Sequence, residues 1–516
     1  MLAEVDPIQD HLGLGFTPKT RSGLQAHDRT RNRLGGLGFV AAGRSLSLRP
    51  KMRTVMRVLV IGINYAPDLI GVAKYNTEFC ESLASWGHEV RVVAAPPYYP
   101  DWSIPPGYRS RWYRHQRLNH VDVIRAPIYV PSRPSGLKRL LHHASFMLSA
   151  AVPVLSSALW WRPDIVFVVA PSLLSAPMAA LAARMTGASS WVHVQDLEVD
   201  AAFEVGLLRS GVTRRLMRTV ERWILRSFDR VSTISIQMVR RLEHKGIVPA
   251  RLREFRNWID TSIVVPGSNQ TQLRSELQLA PTDIVALYSG AMSNKQGLEL
   301  IIEAAAALKD SQPSVKFVLC GNGPVKPALV QMATGLHNVR FLDLQPLDRV
   351  SELLSTADIQ LLPQKAEISD LVLPSKLAGM LASGRPLIAM TEPGTGIASE
   401  VEGAGLIIAP GDAGALAAAV TMLAEDGALR DRLGAVARAR AEQKWDRISI
   451  IRSLEHEFMS LPQRAATPAP RTAPLATPVR SIEHVTTGSR RRPETSGWPP
   501  SREPLRPRAR GVGSEH

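Results

Sequence analysis

Only two of the 516 residues are cysteines, Cys80 and Cys320, far apart and each in apolar surroundings. That scarcity argues against a disulfide framework and fits a reducing, cytoplasmic setting. No spacing of Cys, His, Asp and Glu suits a metal, and none is expected. Residues 1–51 hold arginines and glycines but no apolar run of the kind a secretory leader needs. Phosphate-binding signatures are scarce as well. Without a Gly-x-Gly-x-x-Gly fingerprint a nicotinamide cofactor has no support, and no Gly-x4-Gly-Lys-Ser/Thr loop occurs. Asp196, Glu198 and Asp200 crowd one short loop, so they do not bracket a bond as a glycosidase's paired carboxylates do.

What the chain does have is a 45% hydrophobic fraction and enough length for two domains. Its net charge of +16 is unevenly placed: residues 1–51 carry +4, residues 462–516 carry +6, and the body keeps +6. Both ends lack hydrophobic periodicity, and the second is rich in Pro and Arg. They are expected to be disordered, with Met52 or Met56 as plausible starts. Most of the basicity therefore sits outside the folded body, which weakens any case for a nucleic-acid partner. Within the body, Arg214, Arg215, Arg218, Arg222, Arg226 and Arg230 are spaced to cover one side of a helix. That face is either solvated or turned to an anionic membrane.

Apolar strands alternate with helical stretches. The first series reads Arg57–Gly62, His88–Ala94, Ile165–Val169, Ser190–Val194 and Arg230–Ile234. The second reads Ile284–Tyr288, Val315–Leu319, Val339–Leu342, Ile359–Leu362, Pro386–Ala389 and Leu406–Ile408. Continuous apolar strands imply parallel sheets covered on both faces. Two series imply two doubly wound α/β domains, with ligand expected in the crevice between them. The apolar stretch from Leu137 to Trp161 follows Lys138 and Arg139 and is expected to be a buried helix, with monotopic membrane contact as the second reading.

Two lysines stand at apparent strand-to-helix junctions: Lys295 after Gly290, and Lys376 after Ser375. Helix starts offer free N–H groups, and each lysine adds a charge, so the pair suits a diphosphate. Gly71, just before the first helix, permits close approach of a phosphate or sugar.

The motifs then fall into register. Asn64-Tyr65-Ala66-Pro67, Gly71 to Tyr75 and Gly87-His88-Glu89-Val90 resemble the amino-terminal domain of retaining GT-B glycosyltransferases of family 4. Gly290 to Gly297, Gly321-Asn322-Gly323-Pro324, Ala357-Asp358-Ile359 and Leu373 to Pro386 resemble its carboxy-terminal domain. The resemblance covers about Arg53 to Leu461. It is nearest to the colanic-acid and exopolysaccharide enzymes, through Ala95 to Pro100, Gln195 to Asp200 and Lys295 to Glu299.

This resemblance implies a GT-B fold of two Rossmann-like domains facing a cleft, an acceptor domain over 52–262 and a donor domain over 263–440. It also implies a helix over 441–461 that packs back on the first domain. The expected reaction is transfer of a sugar from a nucleotide-sugar with retention, without a metal or other cofactor. The expected acceptor is a polyprenyl-diphosphate-linked saccharide at the inner leaflet of a membrane. Lys295 matches the family's diphosphate lysine, and Ser375 and Lys376 are expected to help it. Gly290, Gly321 and Gly323 are assigned to the nucleotide, and His193 and Asp196 to catalysis. Two departures stand out. Ala291 occupies the place of a usual arginine, and Leu371 and Gly379 occupy those of two usual glutamates, leaving Asp370 as the nearest candidate for the ribose. A nucleotide-sugar epimerase on the same architecture and a basic nucleic-acid-binding protein are the alternative readings.

Overall fold

The computed structural model describes residues 55–68, 71–99, 101–133, 135–171, 173–196, 211–268, 270–294, 296–365 and 373–461. Both basic ends lie outside these residues, as do Lys295 and Asp370.

The first half is built on strands β1 (Arg57–Ile61), β2 (Glu89–Ala94), β3 (Arg114–Leu118), β4 (Val121–Arg125), β5 (Ile165–Ala170), β6 (Ser189–Val194), β7 (Arg230–Thr233) and β8 (Leu252–Glu254). Their spatial order is β3-β4-β2-β1-β5-β6-β7-β8. Helices α1 (Val72–Ser85), α2 (Gly136–Ser156), α3 (Ala176–Thr186), α4 (Gly211–Arg226) and α5 (Ile236–His244) accompany the sheet. Every residue of β5 and β6 is buried, as expected for central parallel strands covered on both faces.

The sheet departs from the all-parallel expectation at one edge, where β3 runs antiparallel to β4. Asn119 and His120 turn this hairpin, both at positive φ (46° and 68°), the geometry a two-residue turn between right-twisted strands requires. Strand β3 is polar and largely exposed, so no apolar run betrays it.

The second half contains β9 (Ile284–Ser289), β10 (Val315–Cys320), β11 (Val339–Leu342), β12 (Ile359–Leu362), β13 (Leu387–Met390) and β14 (Gly405–Ile408), ordered β11-β10-β9-β12-β13-β14 and all parallel. Its helices are α6 (Gln272–Glu276), α7 (Glu299–Leu308), α8 (Lys326–Met332), α9 (Val350–Thr356), α10 (Lys376–Ala382), α11 (Gly396–Val401), α12 (Ala413–Glu425) and α13 (Gly427–Lys444). A final helix, α14 (Arg447–Ser460), leaves this half altogether.

Phe458 on α14 lies 5.2 Å from Trp191, 5.9 Å from Phe167 and 6.3 Å from Phe79, ring centre to ring centre, within the core of the first sheet. Beside it, His88 Nδ1 accepts from the Met56 N–H, so Nε2 carries the proton and donates to Glu455 at 2.7 Å. Burial alone would raise Glu455, yet bonds from His88 and Arg452 hold its carboxyl below the ordinary range.

The chain crosses between halves twice. Outbound it passes through Ile259 and Thr261, and it returns at Trp445-Asp446, so α13 continues past 441 before the turn. The crossings are laced together. Ile259 bridges Asp446, Thr261 Oγ1 donates to Asp446 at 2.6 Å, and Arg447 pairs with Asp260 at 2.8 Å.

Two expectations about surface helices change. Helix α2 is two-sided rather than buried: Phe146, Ala150, Pro153 and Val154 face the core, while Leu137, Leu141, Leu148 and Val152 are exposed. Continued to Trp161, it is long and apolar enough to cross a membrane, but its inner face is committed to the sheet. The arginine face of α4 is shorter than its spacing suggested. Arg226 turns to the Gly246 carbonyl at 2.9 Å, and Arg230 opens β7.

Candidate functional site

In parallel α/β sheets the loops at the strand C-termini carry ligands, and here those loops meet across the two halves. Gln237, on α5 after β7, packs so close to Gly396, on α11 after β13, that a Cβ on that glycine would stand 2.6 Å from Nε2. Arg256 of the first half bonds Glu400 of α11 at 2.7 Å and lies 5.2 Å from the Trp445 ring. Trp445 Nε1 donates to the same carboxylate at 3.1 Å.

On the second-half side, the loops after β9 and β10 are zipped together. Gly290 N donates to Cys320 O, and Met292 N to Asn322 O, each at 2.9 Å. A Cβ on Gly321 would fall 1.9 Å from Gly290 O, and one on Gly323 would fall 2.1 Å from Met292 O. Both residues also sit at positive φ, 147° and 155°, where side chains are strained. These glycines let backbone cross backbone. That is a reason beyond the ligand approach expected of them.

Lys376 opens α10 and reaches back to this crossing. Its Nζ lies 4.2 Å from the centre of the Tyr288 ring and donates to Gln296 Oε1 at 3.0 Å. A Cβ on Gly290 would make only an ordinary contact, 3.5 Å from Lys376 Cδ, so its φ of 144° rather than crowding favours glycine there. Among the described residues no carboxylate pairs with this ammonium. Burial pulls Lys376 down to about 7, and an arriving anion would favour its charged form. Tyr288, whose hydroxyl donates to Ala291 O at 2.7 Å, fixes the platform. Ser375 is exposed, and its side chain does not cap the helix. Tyr288 and Gln296 escaped the sequence reading because nothing in their spacing signals a neighbour of Lys376.

On the first-half side, Gly71 stands before α1 at φ 62° and ψ −139°. A Cβ there would meet nothing within 4 Å, so conformation rather than crowding requires glycine, and the space ahead is open.

His193, expected at the catalytic centre, lies enclosed near the end of β6. It is 2% exposed, stacked 6.1 Å from Phe167, and both ring nitrogens are taken. Nδ1 meets Ser232 Oγ at 2.9 Å and Nε2 meets Gln195 Nε2 at 3.0 Å. The Gln195 amide donates, so Nε2 is the acceptor and the ring is neutral; burial, pulling its pKa to about 3, agrees. Gln195 also donates to Asn257 Oδ1 at 3.1 Å. Asp196, next along, is exposed, and partial desolvation by the protein around it raises its carboxyl above the ordinary range.

Comparison with known proteins identifies the family and the fold. The family described as "Glycosyl transferase 4-like domain" matches residues 71–258, and "Glycosyl transferases group 1" matches residues 283–426. The putative colanic acid biosynthesis glycosyl transferase WcaI of Escherichia coli K12 is 38% identical over 413 residues, covering 78% of this chain and all of that protein. Among solved structures, a sucrose-phosphate synthase from Thermosynechococcus elongatus aligns with TM-score 0.61 at 18% identity, over 78% of this chain and 98% of that one. Anabaena Alr3699/HepE in complex with UDP-glucose aligns with TM-score 0.56 at 17% identity, over 79% of this chain and all of that one. With two profile matches in chain order over the two sheets, and a relative matched from end to end, this chain belongs to the group 1 and 4-like glycosyltransferases and has their GT-B fold.

Proposed function

We propose that this glycosyltransferase moves a sugar, with retention, from a nucleotide-sugar to a lipid-linked saccharide in assembly of a colanic-acid-type exopolysaccharide. One observation carries the donor half of this reading. The Lys376 amino group is held over the Tyr288 ring, beside backbone that only glycines permit, with no described carboxylate beside it, so that an arriving anion would draw it into its charged form. A diphosphate is the natural counter-charge. Lys295, Ser375 and Lys376 gather the leaving group's charge in place of the arginine that Ala291 replaces, and no metal is called on. Asp370 lies close in sequence to the ribose side, and Gly290, Gly321 and Gly323 line the nucleotide. Gly71 leaves room for the donor phosphates from the opposite half.

In the same reading Asp196 receives the acceptor hydroxyl. His193 is a positioning residue that acts through Gln195 rather than touching the sugar. The exposed apolar side of α2, together with Arg215, Leu216, Arg218, Arg222 and Trp223 exposed on α4, supports peripheral contact with an anionic inner leaflet.

Thermal unfolding against GDP-, UDP- and dTDP-sugars tests the donor. A ligand at a hundred times its Kd stabilises by about 2.7 kcal/mol, so one nucleotide class should raise the midpoint and the others should not. Transfer on that donor should persist in a chelator. Full activity in a folded Lys295→Ala variant would sink the reading.

A further inference from the structure

A cavity of about 320 Å³ opens at the N-terminal ends of β12 and β13, the edge of the second sheet opposite the loops that gather around Lys376. Gly267, Ser268, Asp358, Arg385, Arg430 and Asp431 are among its lining. The scheme above makes no use of it. Gly267 and Ser268 belong to the segment that has just crossed from the first half. Arg385 stands in the turn between α10 and β13, and Arg430 in the first turn of α13. Three separate stretches of chain therefore meet at one opening.

Backbone carbonyls hold both lining arginines in place. Arg385 Nη2 donates to Gly267 O at 2.8 Å and to Ser355 O at 3.3 Å. Arg430 Nη1 donates to Leu423 O and, at 2.9 Å, to Ala424 O. A carbonyl orients a guanidinium without neutralising it, and among the described residues no carboxylate stands within ion-pair distance of either. Asp358 is committed elsewhere: its Oδ2 accepts from Val285 N at 2.8 Å and from Arg274 at 3.1 Å. Arg274, 2% exposed, adds a third guanidinium behind the wall. Burial lowers the Arg385 pKa; Arg274 and Arg430 reinforce the shift, while Asp358 and Asp431 oppose it. Three cations against two carboxylates leave one positive charge in excess.

Pre-oriented guanidiniums with donors to spare are the chemistry that recognises phosphate. The cavity has room for a small ligand, and no ring lines it on which a nucleobase could stack. We propose that Arg385 and Arg430, with the Ser268 hydroxyl, form a second anion site that takes a phosphate group, free or esterified to a small polyol. The site is separate from the donor cradle and does not depend on the transferase reading. Asp431, exposed at its rim, opposes the anion and keeps the affinity moderate. A bound phosphate joins the outbound crossing at Ser268 to α13 at Arg430.

The test is calorimetric titration of the full chain, in low-salt buffer free of phosphate, with inorganic phosphate and with glucose 1-phosphate. At least one should bind with a Kd below about 1 mM, and which of them binds more tightly tells a free anion from an ester. The Lys376→Met variant should bind it equally well, which separates this site from the donor cradle. Arg385→Gln and Arg430→Gln should each weaken binding by about tenfold or more. Asp431→Asn, on the exposed rim, should tighten it by about threefold. Opposite shifts from neighbouring residues are not what a merely structural role produces. Three results overturn the proposal: no binding of either probe tighter than about 10 mM, binding that disappears in Lys376→Met, or binding indifferent to the arginine variants. If Arg385→Gln does not fold, Arg430→Gln and Asp431→Asn decide. None of these outcomes touches the transferase reading, which Lys295→Ala tests separately.

Discussion

The two halves share a fold and are packed by different means. Every ring–ring contact found among the described residues belongs to the first half, the crossings included: Phe79, Phe167, Trp191, Phe255 and Phe458 interlock, and His142 and His193 join such clusters. The second half is packed with alanine, leucine and isoleucine, and its tightest contacts are backbone against backbone at Gly321, Gly323, Gly405 and Gly434. The glycine crossings leave bare backbone N–H groups beside the mobile Lys376, where a phosphate is proposed to sit, whereas the rings of the first half seal a core on which the final helix closes.

This contrast can be attacked at its strongest point first. Phe458→Ala removes a wholly buried ring from the first half and should cost about 3–5 kcal/mol. Denaturant unfolding should then show the first half melting early while nucleotide still protects the second. Gly321→Ala should do the converse. With the clash at Gly290 O and a strained φ, it should destabilise the second half by about 3 kcal/mol. Nucleotide binding should fail while the tryptophan signal, which comes mostly from the first half, stays native.

Lys376→Met probes the donor cradle more gently. Nucleotide affinity should fall by about a hundredfold, the loss of one charge-assisted contact. The effect on stability has the opposite sign. Folded Lys376 titrates near 7 and unfolded lysine near about 10.4. Between those values the unfolded chain binds more protons, so wild-type stability gains from rising pH, and the variant should lose that gain. Thermal midpoints from pH 6 to 10 would show whether it does.

The smallest effect concerns acid. Burial lowers His193 to about 3, His143 to about 4, and His142 as well. Their neutral forms stabilise the fold fully above about pH 6.5, the unfolded value. That contribution falls away as the pH drops below it, toward the folded values. The first half should therefore soften before the second between pH 6.5 and about 4, and His193→Gln should flatten the slope. Tryptophan fluorescence over that range, with and without the variant, is the measurement.

How far the sequence could be read also divides along this line. The central strands were plain because full burial leaves an uninterrupted apolar run, as in Ile165–Ala170. Strands β3, β4 and β8 were not: β3 and β8 are short or polar edges with one neighbour, and β4, though flanked on both sides, is interrupted by Asp122. The glycines of the second half were noticed, but the partner that makes them necessary lies on another loop, and spacing cannot reveal it. His193 was drawn into catalysis by its position near a strand end. Only the surrounding rings, and a glutamine two residues on that closes over Nε2, show it to be enclosed. Arg430 passed unremarked because one arginine near the start of a helix reads as solvated until its neighbours are known.

The double crossing at Ile259 and Asp446 has a consequence for anyone dividing this chain. The final helix is covalently the end of the second half but energetically a part of the first. A cut at the outbound passage alone would give a first-half fragment with an open hydrophobic seam where Phe458 belongs. Two independently stable pieces would require residues 447–461 to be grafted onto the first. The adjacent passages also define a line. Two chains laced side by side resist sliding and twisting apart, and they leave rotation about that line as the inexpensive way for one half to change its angle to the other.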